Sequence, residues 1–216
     1  MPRRTSGVRL PNAEQERHSW VINQVAFDFR LLDVWGLPAR GGSDEFDSLL
    51  EIISSLDPAR MRSRSTRALF RLRFRLGHWF GWDDATRRLP VPGRTETTLR
   101  SRVPQALQGT ASAVTFSEAT FEPLYRTDDE WAAELSNRTV HGVVHLAWVD
   151  QGDGLHAGRM AVYVKPRGRL GAMYMALIGP FRHLVVYPAL MREIERAWQA
   201  RSRAVSSPPS PGADLA

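Results

Sequence analysis

Cysteine is absent from the 216 residues, which removes disulfides, thiolate metal ligands and cysteine nucleophiles together and fits a reducing compartment. Lysine is nearly absent: of 29 basic residues only Lys165 is lysine, so 28 are arginine, set against 23 acidic residues for a net charge of +6. A bias that strong points to the coding composition of a GC-rich genome rather than to an activity. No apolar run opens the chain, and Arg3-Arg4 lacks the hydrophobic stretch of a twin-arginine signal. Without secretion the sequon Asn137-Arg138-Thr139 carries no weight, and a cytoplasmic location is expected. P-loop, dinucleotide fingerprint, nucleophile elbow, zinc finger and helix-turn-helix are all missing. Nucleotide hydrolysis, hydride transfer and sequence-specific nucleic-acid binding therefore have no footing, and no cofactor is expected.

What remains is an ordinary globular composition, 43% hydrophobic and 24% charged. A chain of this size buries roughly 70% of its unfolded surface. Residues 1–18 read as a disordered leader and residues 201–216, rich in Pro and Ser, as a disordered tail, leaving one domain over 19–200. Leu170 to Met191 is long enough to cross a bilayer. Arg182 near its middle costs about 2.5 to 3.5 kcal/mol on the insertion scale, and two prolines and two glycines detract further. The balance is near neutral, so a buried core helix is expected there rather than a transmembrane segment.

Phe27, Phe29 and Leu31 alternate with Asp28 and Arg30, a period-2 strand running toward Trp35 and ended by Gly36-Leu37-Pro38. Ser43 is placed to cap a helix carrying Phe46, Leu49, Leu50, Ile53 and Leu56. A further helix is read from Ser65 to Gly81, with Arg67, Arg71 and Arg75 on one face. From Val114 the chain turns β-rich: 114–125, then 130–137, then 138–149 and 157–165, the last two joined by a Gln151-Gly152-Asp153-Gly154 turn. The stretch 127–136 fits a capped helix as an alternative. Leu170, Tyr174, Leu177, Phe181, Leu184, Val185, Pro188, Met191, Ile194 and Trp198 then form one apolar stripe, which Pro180 and Pro188 should kink or split. The order describes an α+β domain whose curved antiparallel sheet wraps a long C-terminal helix.

The runs DDEWAAELSNRTVHGVVHLAWV (128–149), RMAVYVKPRGRLGAMYMALIGPFRHLVVYPALMREIERAW (159–198) and FRLLDVW (29–35) resemble a bacterial family. It is the domain of unknown function numbered twenty-eight sixty-seven, and the resemblance covers about residues 20–200. The family looks similar to START-type and Bet v 1-like helix-grip domains, in which sheet and terminal helix enclose an apolar cavity. The resemblance implies a hydrophobic small molecule or lipid as partner, and no catalytic motif.

Candidate site residues follow from strand parity. Val140, Gly142, Val144, Leu146 and Trp148 share one face; Asn137, Thr139, His141, Val143 and His145 share the other, and Tyr163 opposes Val162 and Val164. The polar set either lines a cavity beside Tyr125, Tyr174 and Arg182, or wets the outer face of the sheet. His141 and His145 stand four apart, but on a strand that is about 13 Å, too far to share one metal ion. Asp128, Asp129, Glu130 and Glu134 read as a solvated turn or helix start, with acid–base work as the other reading. Residues 60–102 carry 12 arginines against three acids, a patch suited to an anionic surface. Binding of an apolar ligand ranks first. An enzyme of cyclase or dehydratase type on the same scaffold ranks second, and a peripheral membrane or interaction protein third.

Overall fold

The computed structural model describes residues 7–56, 98–110, 121–136 and 140–206. Six strands, β1 (Val8–Leu10), β2 (Arg30–Gly41), β3 (Glu122–Arg126), β4 (Glu130–Ser136), β5 (Val140–Gly152) and β6 (Leu155–Pro166), form one curved antiparallel sheet in the order β1-β2-β6-β5-β4-β3. Short helices α1 (Asn12–Glu16) and α2 (Val21–Val25) lie between β1 and β2, and α3 (Phe46–Ser55) follows β2. After β6 come α4 (Gly168–Phe181), a π-helical turn over Arg182–Val186, and α5 (Tyr187–Ser206). The class is α+β, with a long C-terminal helix laid on the sheet. The expected arginine helix, with Arg67, Arg71 and Arg75, lies outside the described residues.

Both faces of the sheet are covered, because both carry apolar side chains. On one face Trp35, Leu37, Trp131, Leu146, Trp148 and Met160 pack with Phe46, Leu49 and Leu50 of α3 and with Tyr187, Met191, Ile194 and Trp198 of α5. On the other, Val34, Tyr125, Ala132, Val143, Ala147, Ala161 and Tyr163 pack beneath Trp20, Ile22, Val25, Ala26 and Phe29, with Leu99 and Val103 beside them. The leader expected over 1–18 thus belongs to the fold from Val8 onward: β1 pairs with β2, and Gln15 is fully buried. At the other end α5 runs to Ser206, into the stretch expected as a tail.

The first expected strand is corrected at both ends. Phe27 is exposed in a turn, and β2 begins at Arg30 and runs on through Gly36 and Pro38. Proline is tolerated because the register with β6 slips between Gly36 and Arg40, where no ladder bond is asked of it. A second slip, between Leu31 and Asp33, reverses the side-chain alternation. Leu31 packs on the α2 face, while Asp33 turns to the α5 face.

The cap before α3 is not Ser43; the Gly42 N–H donates instead to Glu45 Oε2 at 2.9 Å. Residues 130–136 are strand, not helix. The β5–β6 turn is as expected, with positive φ at Gly152, Asp153 and Gly154. The long C-terminal element breaks between its two prolines, at the π turn. Leu184 corrects the apolar stripe: it is 77% exposed, whereas Met191, Ile194 and Trp198 are buried. Among the described residues no helix is long and apolar enough to cross a membrane.

Candidate functional site

Strand pairing places the polar row. β4 and β5 run antiparallel with Ala132 opposite His145 and Ser136 opposite His141. Glu130 and Glu134 share a face because they stand four apart on a strand, and so do the two histidines on the next strand. Each glutamate then reaches its histidine along the diagonal of the ladder, a span open to long side chains. His145 Nε2 lies 3.1 Å from Glu130 Oε2, and His141 Nε2 lies 2.8 Å from Glu134 Oε2. All four side chains are buried. The reading of Glu130 and Glu134 as solvated charge is corrected; Asp128 and Asp129 are the exposed members of that run.

Around Glu130 the network extends through three elements. The Val21 N–H at the start of α2 donates to both carboxylate oxygens, at 3.0 and 3.1 Å, and the Tyr125 hydroxyl donates to Oε2 at 2.9 Å. Gln15 Nε2 meets His145 Nδ1 at 3.0 Å and donates to the Tyr163 hydroxyl at 3.2 Å. Tyr163 donates in turn to Asn23 Oδ1 at 3.4 Å. Burial pushes the Glu130 carboxyl up, but its bonds to His145, Val21 and Tyr125 outweigh that and hold it below the usual carboxylate range. Burial lifts Tyr163 to about 12, and burial together with the Glu130 charge lifts Tyr125 further. Neither tyrosine is an acid near neutrality. Glu134 accepts hydrogen bonds from the Thr98 hydroxyl and from the Leu99 N–H, the latter at 2.9 Å.

The expectation that His141, His145 and Tyr163 border space beneath the C-terminal helix is corrected, since that helix covers the opposite face. The row is not wet either, because the N-terminal segment and residues 98–107 close over it. Tyr125, His145 and Tyr163 are brought together, through Glu130 and Gln15. His141 sits four residues back along β5, edge-on to Phe29. Arg182 stands apart on the α5 face and pairs with the buried Asp33 at 2.8 Å. His183 at 3.3 Å, the Tyr187 hydroxyl at 3.3 Å and Arg9 at 3.2 Å reach the same carboxylate. Asn137 and the side chain of Tyr174 lie outside what is described.

Where Glu130 meets the end of the sheet, a cleft of about 310 Å³ opens between the α1–α2 connection and the ends of β4, β5 and β6. His18, Ser19, Trp20, Asp129, Glu130, Trp148, Val149, Asp150 and His156 border it. Its rings come in two stacks: His18 on Trp20 at 4.9 Å, and His156 near Trp148 at 6.4 Å and 13°. Trp148 is fixed by a 2.8 Å bond from Nε1 to the Gly42 carbonyl. The described residues hold no cluster suited to a metal ion. Of this wall the sequence reading named only Asp129, Glu130 and Trp148, and none as a binding residue. His18 carried no signal because it sits where a leader was expected, and Trp20, two residues on, precedes the first periodic pattern.

A family model described as "Protein of unknown function (DUF2867)" matches residues 25–189, and the chain belongs to that family. No curated protein and no solved structure matches it.

Proposed function

With that membership as premise, we propose that the protein binds a small molecule with an apolar ring body in the cleft beside Glu130, and that it performs no chemistry of its own. The observation that carries this reading is the cleft's composition: the His18–Trp20 stack, His156 backed by Trp148, and Val149 for an apolar body, with a few convergent carboxylates and imidazoles to orient it. Sites that take small ligands have this make-up. At about 310 Å³ the space lies at the lower end of such sites and suits a compact molecule rather than a lipid chain. The reading differs from the START-type analogy in placing the ligand away from the terminal helix.

An enzyme is the second reading, favoured by the Glu130–His145 pair at the cleft's edge. It ranks lower because the Glu130 carboxylate already accepts from Val21, Tyr125 and His145, while His145 is sealed from the cleft. A base so committed has no free lone pair aimed at a substrate. Native mass spectrometry of protein purified without denaturation tests the proposal. A retained adduct of a few hundred daltons or less is expected in the natural chain and absent in Ser19→Trp, which fills the cleft from an exposed position. An adduct that survives Ser19→Trp would overturn the placement.

A further inference from the structure

Resting on the cleft as the ligand site, we infer that its ligand is a planar organic cation, an amidinium or a protonated nitrogen heterocycle. The protein carries +6 overall, yet among the described residues the cleft is bordered by Asp129, Glu130 and Asp150 and by no arginine or lysine. Its local field therefore opposes that of the molecule, and it concentrates cations where the rest of the surface repels them. Two of the carboxylates have capacity left. Asp129 Oδ1 accepts from the Thr127 hydroxyl and Asp150 Oδ1 from the Gly152 N–H, both at exposed positions, and among the described residues neither Oδ2 accepts a hydrogen bond. Glu130, held below the usual carboxylate range and bonded on both carboxylate oxygens, adds its charge to the wall.

Tryptophan faces attract cations, most strongly where water is thinned, and the Trp20 ring with His18 stacked on it is the aromatic part of the wall on the α2 face. Two buried polar atoms on the wall, Trp20 Nε1 and His156 Nδ1, have no hydrogen-bond partner among the described residues. In its acceptor tautomer the imidazole nitrogen would be satisfied by a ligand N–H, and the indole N–H by a second ring nitrogen, once either ring turns toward the cleft. An anion fits neither the carboxylates nor the ring faces. One cation does stand behind His18, Arg159 Nη1 at 3.3 Å, but it donates to the Glu14 carbonyl at 2.7 Å and does not border the cleft.

Three isosteric probes test the charge requirement: benzamidine, benzamide and benzoate, titrated into ¹⁵N-labelled full-length protein and followed by amide shifts. Benzamidine is expected to shift amides within 18–21, 129–130 and 148–156, and to bind about tenfold tighter than benzamide, with benzoate weakest. The double variant Asp129→Asn/Asp150→Asn keeps both Oδ1 acceptors, so its melting temperature should stay unchanged while benzamidine's advantage disappears. Benzamide or benzoate binding in the cleft as tightly as benzamidine would overturn the cationic class and leave the cleft itself standing. Benzamidine shifts centred elsewhere, or no shifts from any probe, would overturn this inference. The adduct experiment on Ser19→Trp reports separately on the site.

Discussion

At the scale of single residues, Glu130 and Asp33 show what buried charge requires. Glu130 satisfies a helix-start N–H, a tyrosine hydroxyl and a histidine at once, so Glu130→Gln deletes acceptors from donors that water cannot reach. The expected loss is about 1 to 3 kcal/mol for each donor left unpaired, read by urea unfolding. Because the folded carboxyl sits below its unfolded value, its contribution is complete above the ordinary glutamate range, about pH 4 to 5, and is lost as pH falls through the lower folded value. Acid unfolding of Glu130→Gln should accordingly be flatter over that range than in the natural protein.

Asp33 makes a sharper contrast. Asp33→Ala strands the largely buried Arg182 and should cost about 3 to 5 kcal/mol, whereas Arg9→Ala removes an exposed partner and should cost at most about 1 kcal/mol. Equal losses from the two would contradict the burial assigned to them. Neither carboxylate was legible as a buried anchor in the sequence. The two Glu–His pairs become visible only with the β4–β5 register, and Asp33 reaches α5 only through a bulge that no local pattern announces.

Among the elements, the C-terminal helix shows how far periodicity carries. The stripe through Met191, Ile194 and Trp198 was readable, and so was a break between Pro180 and Pro188. Periodicity assumes 3.6 residues per turn throughout, and the π turn at Arg182–Val186 adds a residue that rotates Leu184 into solvent. Ile194→Ala should therefore cost about 2 to 5 kcal/mol and Trp198→Ala about 3 to 5 kcal/mol, while Leu184→Ala should stay within about 0.5 kcal/mol. Thermal melts of the three variants decide the matter, and a destabilised Leu184→Ala would mean the turn is misplaced. The β5–β6 hairpin was fully legible, since turn chemistry and alternation agree there. In β2 they disagree: Gly36 and Pro38 are breakers in isolation, tolerated where the ladder slips.

For the whole molecule, the order of layers decides where function can sit. A sheet with two apolar faces needs two covers; the sequence reading supplied one, the terminal helix, and took the start of the other for a leader. A polar N-terminal stretch with short helices gives a weak periodic signal, and its cover is recognisable only from the sheet face it meets. Trp20, Ile22 and Val25 bury apolar surface worth about 1.5 to 3 kcal/mol each, comparable in sum with the whole net stability of a domain. A chain begun at Arg30 should lose cooperative unfolding and near-ultraviolet circular dichroism; a native-like melt would contradict the cover's role.

The same layering separates this account from a ligand held under the terminal helix. Hydrogen exchange, compared between protein carrying the small molecule that the account expects to co-purify and protein stripped of it, tests that separation directly. The account predicts slower exchange on ligand binding within 18–21 and 147–157, with 170–191 unchanged. Slowing confined to 170–191 would contradict it.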